Sequence, residues 1–117
     1  MSNQKHNGGL HETVSEIGFG VVKFFEGEIT ASGITLDIVP PANRLLFRNA
    51  DVENPVYINV NGGIASTVTS LIPGDNIKVV PEGILTMDFD NLKRLSIIAA
   101  SVSGSLIEGT LAWKGVA

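Results

Sequence analysis

The side chains best suited to chemistry in this sequence are two histidines and a few carboxylates. His6 and His11 sit in His6-Asn7-Gly8-Gly9-Leu10-His11, five residues apart. That is not the i, i+4 spacing of a helical metal pair, and nothing around them reads as a helix. No histidine follows His11 and the chain has no cysteine. The commonest general base and the thiol nucleophile are therefore both missing from the body of the chain. Glu26 and Glu28 flank Gly27 and so share one parity of a strand or hairpin, and paired carboxylates can do glycoside chemistry at defined separations. Exposed strand carboxylates are more often surface charge. Asp88, Asp90 and Asn91 gather oxygens beside a turn. They fall short of the six to eight ligands that calcium takes, and no closing Glu follows at EF-hand spacing. Gly8-Gly9 and Gly62-Gly63 suggest a phosphate loop. No Gly-Lys-Ser/Thr leads into a helix, so both read as turns. The residues thus predict no enzyme, no catalytic residue, no metal ligand and no cofactor.

The elements that would position these groups are strands. From Ile17 onward apolar residues recur with period two, and turn signals come at intervals of about 8–12 residues. Val14, Ile17, Val21 and Phe25 have helical spacing, but Gly18 and Gly20 would each cost a helix about 1 kcal/mol. Ile34, Leu36 and Ile38 alternate with polar positions until Pro40-Pro41, where a strand is expected to end because proline donates no ladder hydrogen bond. Leu45 and Phe47 point inward between Arg44 and Arg48. Val56, Ile58 and Val60 alternate with Tyr57, Asn59 and Asn61. Ile64–Ser70 reads as a weak edge strand. Further strands are expected around Ile77–Val79, Leu85–Phe89, Leu95–Ala99 and Ile107–Trp113. The sum is eight or nine short strands in an all-β, antiparallel two-sheet β-sandwich, of jelly-roll or immunoglobulin-like order. Residues 16–117 form that domain. Residues 1–15, polar and Gly-rich, form an extended N-terminal arm that a partner would order.

Composition narrows the partners. The chain has 117 residues, with 12 Asp+Glu against 8 Lys+Arg, and a net charge of −4. A nucleic-acid binder needs a basic face, so no nucleic acid is expected. No apolar run reaches the roughly 18–20 residues of a membrane helix, so no membrane partner is expected. The polar start predicts synthesis in the cytoplasm. Only 17% of residues are charged, below the usual ~25%, which suits a surface that meets other chains. The candidate contacts are Lys5, His6 and His11 on the arm, with Tyr57 and Asn59 on the outward parity of their strand.

One succession of segments goes further. Asn43-Arg44-Leu45-Leu46-Phe47-Arg48-Asn49 leads to Val56-Tyr57-Ile58-Asn59-Val60-Asn61-Gly62-Gly63. Ile72-Pro73-Gly74-Asp75-Asn76-Ile77 follows, then Leu95-Ser96-Ile97-Ile98-Ala99-Ala100 and Ile107-Glu108-Gly109. This order, over roughly residues 40–110, resembles small β-sandwich structural proteins of tailed bacteriophages: capsid decoration (cement) proteins, head fibres, and neck or tail components. The resemblance implies a non-enzymatic virion protein made in the host cytoplasm and carried on the capsid surface. It implies the major capsid protein or other virion proteins as partners, and a homo-oligomer, with a trimer before other states. The alternatives are a neck, tail or fibre component and a carbohydrate- or receptor-binding module. The last would need Tyr57 or Trp113 in an exposed aromatic platform.

Overall fold

The computed structural model describes residues 10–17, 20–67 and 76–114. They form seven strands: β1 (Leu10–Ile17), β2 (Gly20–Ile29), β3 (Ile34–Asn49), β4 (Val56–Asn59), β5 (Ile77–Val79), β6 (Ile84–Ala99) and β7 (Ser105–Lys114). Every pairing is antiparallel. Hydrogen bonds join the strands into one sheet in the order β1-β2-β7-β3-β6-β4-β5.

Two strands are far longer than expected. β3 does not end at Pro40-Pro41 but runs on through both prolines. Likewise β6 passes through Asp90-Asn91-Leu92-Lys93, which the sequence marks as a connection. The two strands pair along both halves. Ile34–Asp37 lie opposite Ile97–Arg94, and Arg44–Arg48 lie opposite Asp88–Ile84. Between these halves the register shifts on either side of Ala42, which faces Leu92. Proline removes the donors there, as expected. The loss opens the ladder into an irregular corner instead of terminating it. The Val39–Pro40 peptide is cis. Four expected strands are thus two bent ones, because a bulged pair can turn a corner that an ideal ladder cannot.

Beyond the corner each long strand finds a different neighbour. Arg44–Asn49 of β3 pair with β7, and Ser96–Ala99 of β6 pair with β4. The sheet therefore curls, and one core gathers side chains from strands far apart in its order. Phe25 and Ile29 of β2, Leu45 and Phe47 of β3, Val56 and Ile58 of β4, Val79 of β5, Leu95 and Ile97 of β6, and Ile107 of β7 all belong to it. Burying such a side chain contributes about 1.5–3 kcal/mol. The inward parities of β3, β4 and β5 are those read from the sequence.

The segment 1–15 divides. Residues 10–15 belong to β1, whose Leu10 to Ile17 pair with Gly27 to Gly20 of β2. Residues 1–9 lie outside the described part. Of the weak strand expected over 64–70, residues 64–67 are irregular and the rest lie outside the described residues.

The bends also decide which loops meet. Both ends of β3 and β6 return to one end of the molecule. The connections 30–33, 50–55, 80–83 and 100–104 are stitched together there by main-chain hydrogen bonds. Ala99 N–H donates to Thr30 O, Ala50 N–H to Leu106 O, Glu82 N–H to Asp51 O, and Ala100 N–H to Pro55 O. The corners of β3 and β6 occupy the opposite end, with the end of β7. There Trp113 Nε1–H donates to Pro40 O at 2.7 Å, and Asn43 Nδ2–H donates to Asp90 O at 3.0 Å.

Candidate functional site

The interior of the curled sheet is the first place to look for a site. Its inward rows run Lys23–Leu111–Leu45–Met87 and Phe25–Gly109–Phe47–Leu85. Gly109 has no side chain, and the Phe25 ring lies over it. A β-carbon built on Gly109 would stand 2.1 Å from Phe25 Cζ. An aromatic ring laid across a glycine fills the gap between strands. The interior around Gly109 is therefore packed with hydrocarbon. Among the described residues no group of three or more His, Asp or Glu could hold a metal ion.

The residues expected at a contact surface lie apart. Lys5 and His6 fall outside the described residues. His11 stands in β1 at the register position opposite Glu26. Tyr57 and Asn59 have the outward parity assigned to them, but neither is a surface residue: Tyr57 is 9% exposed and Asn59 is buried. The correction has a physical cause. The chain after β4 folds back over this face. Asn59 Oδ1 accepts from Asn61 N–H at 2.9 Å and Gly63 N–H at 3.2 Å, and Ser96 Oγ accepts from Ala65 N–H at 2.7 Å. Asn59 is thus the polar anchor of a loop. Trp113 is half-buried with its N–H engaged, so neither aromatic forms an open platform.

The convex face of β2, β7, β3 and β6 carries charges in register. Arg44 lies opposite Asp88 and Arg48 opposite Glu108, as their ion pairs of 2.6 and 3.5 Å show. The Arg44 hydrogen bond holds the Asp88 carboxyl below its ordinary range, with smaller help from the charges of Arg44 and Lys114. A depressed carboxylate contributes stability above its unfolded-state pKa, and that contribution is lost as pH falls through the lower folded value. Solvent screens this exposed pair, so the stability effect is small. The shift itself should be visible: in an NMR titration, Arg44→Gln is expected to return Asp88 toward the ordinary carboxylate range. An unmoved midpoint would remove Arg44 as the cause.

The feature that sequence reading missed is the stitched loop end. Val52 is 71% and Val102 is 88% exposed, and Val80, Ile84 and Leu106 are exposed beside them. Exposed apolar residues scattered singly need no explanation, but a gathering at one end does. The four connections hold Asp51, Glu53 and Glu82 and no Lys or Arg, with Glu28 just before them. They are also rigidly built. Asn49, fully buried, donates from Nδ2 to Asn54 O at 2.9 Å and Val79 O at 3.0 Å, and its Oδ1 accepts from Asp51 N–H at 3.0 Å. Asp51 in turn accepts from Glu53 and Asn54 N–H. Loops scattered along the sequence show no period, so only the fold could bring them together.

Glu82 takes φ +63°, a left-handed conformation that non-glycine residues seldom adopt. The turn Val80-Pro81-Glu82-Gly83, closed by the Gly83 N–H to Val80 O hydrogen bond, places its third residue there. Glu82→Gly is expected to raise stability by about 0.5–1 kcal/mol, the relief of a left-handed L-residue less the added freedom of the unfolded chain. Urea unfolding measures it, and a loss of stability would show that Glu82 makes a compensating contact.

No family model matches the sequence, and no curated protein matches it either. Among solved structures the chain is similar to the cupin domain of Cnp3 from Schizosaccharomyces pombe, with a TM-score of 0.50 and 15% identity, over 90% of this chain and 61% of that one. It is also similar to CapF, crystallised with the inhibitor 3-isopropenyl-tropolone. The TM-score there is 0.50 and the identity 11%, over 96% of this chain and 29% of CapF. The chain thus spans less than two thirds of either. At these identities the likeness concerns the fold alone: an all-β, antiparallel, cupin-like sheet.

Proposed function

We propose that this chain is a non-enzymatic virion structural protein that works by contact, as a capsid decoration protein on a phage head shell. The observation that carries the proposal is the loop end: apolar, acidic and held rigid by Asn49. A surface ordered in advance loses little entropy on binding. The fold suits such work, since jelly rolls include viral capsid domains and cupins alike. We read the bent sheet as a jelly roll whose two layers share β3 and β6. The fold-level argument is analogy, because one fold hosts many functions. The packed interior around Phe25 and Gly109 favours contact over catalysis. The placement of Tyr57 and Trp113 gives little support to a carbohydrate-binding module. A neck, tail or fibre position is told from decoration by copy number. The test is quantitative mass spectrometry of purified virions. Hundreds of copies per particle are expected for a decoration protein, a handful would place the chain at a vertex or neck, and absence from particles would end the virion reading.

A further inference from the structure

The two ends of the molecule differ in charge as well as in shape. At the loop end the charged residues of the connections are Asp51, Glu53 and Glu82, all acidic. At the corner end Arg44 is engaged with Asp88 and Arg94 with Asp37. Lys93 and Lys114 are exposed there, with Asp90 also exposed and Asp88 within charge range of Lys114. The corner end also carries an apolar projection: Val39 is 86% exposed at the β3 bend, next to Pro40, whose carbonyl accepts from Trp113. Val21, opposite Trp113 in the register, is exposed too.

Three occupants of the loop end can be weighed by charge. A second copy docked through its own loop end would bring Glu53 and Glu82 against like charges, which opposes that contact. An unrelated acidic surface meets the same objection. A second copy docked through its corner end brings Lys93 and Lys114 to Glu53 and Glu82, and Val39 to the apolar residues Val52, Val80 and Val102. We propose that the loop end of one copy binds the corner end of the next, head to tail, through these residues. Such a heterologous contact closes into a ring when the rotation between copies permits. The inference rests on the contact-protein reading above and gives it a first partner, the chain itself.

The test uses the full chain and two surface variants that leave the core untouched. One is Glu53→Lys with Glu82→Lys; the other is Lys93→Glu with Lys114→Glu. Sedimentation velocity over a concentration series should show the wild type associating, more weakly as salt rises. Each variant alone should associate about tenfold or more weakly, because each lacks one half of the junction. An equimolar mixture should recover association in alternating assemblies, because the intact corner end of the first variant meets the intact loop end of the second and the two reversed ends carry opposite charges. Circular dichroism and unfolding midpoints verify that both variants fold. A wild type that stays monomeric, a loop-end variant that assembles normally, or a mixture that stays monomeric overturns the proposal. A corner-end variant that assembles like the wild type also overturns it and places a symmetric loop-to-loop contact there instead. A chain that assembles head to tail yet is absent from virions keeps this inference and removes the virion reading, so the two failures are distinguishable.

Discussion

Gly109→Ala is expected to destabilise the protein by about 3 kcal/mol, at the upper end of the usual cost of overpacking a core. The added β-carbon would lie 2.1, 2.6 and 2.7 Å from Phe25 Cζ, Cε1 and Cε2, far inside contact distance. A ring tip can often swing aside, but Phe25 is fully buried and packed in the main core. Phe47 closes the row on the other side, opposite Gly109 on β3. Displacement would therefore spread into two strands. The mechanism is tested by pairing the substitution with Phe25→Leu, which shortens the side chain over the glycine. Each single variant should be destabilised, and the double variant should be more stable than the sum of their losses predicts. Urea midpoints give all the required terms. A Gly109→Ala variant that unfolds with the wild type would mean that the interior is roomier than it looks.

Asn49→Ala is expected to cost a similar amount, about 3 kcal/mol, by a different route. The side chain is buried and serves four main-chain groups, those of Asn54, Val79, Val80 and Asp51. Each buried group left without a partner costs about 1–3 kcal/mol, reduced where water can reach it. The damage should be local in a way that an overpacked core is not. Hydrogen exchange should speed first at Asp51, Glu53 and Asn54, where the amides depend on Asn49 and Asp51. Because Asn49 also ties the turn after β5 to the loop after β3, its loss should weaken any association made through the loop end. Protection unchanged across 50–55 would show that the main-chain stitching alone holds this end.

Much of the fold was legible in the residues. Alternation at Ile34–Ile38, Leu45–Phe47 and Val56–Ile58 is a local signal, since side chains on a strand point to opposite faces in turn. It fixed the inward positions there before any pairing was known. The absence of histidine and cysteine from the body of the chain, and the poor spacing of its carboxylates, likewise followed from residue identity. The all-β class needed nothing beyond these.

What the tertiary structure decided was where locally similar signals led. Pro40-Pro41 says only that donors are missing; whether a strand ends or bends depends on a partner able to bulge with it, and here β6 does. Outward parity made Tyr57 and Asn59 look exposed. Burial depends on what later chain segments cover, and the loop at 61–65 returns over Asn59 and Ser96. The loop end shows the same rule at larger scale. Val52, Val80 and Val102 lie far apart in sequence and share no period. They became one surface because two bent strands carry both of their ends to the same place. The sequence by itself thus determined the class of structure and which ionisable side chains the body of the chain can offer, because both follow from residue type and local spacing. The loop end proposed as a contact surface was decided by long-range pairing, which no local pattern encodes.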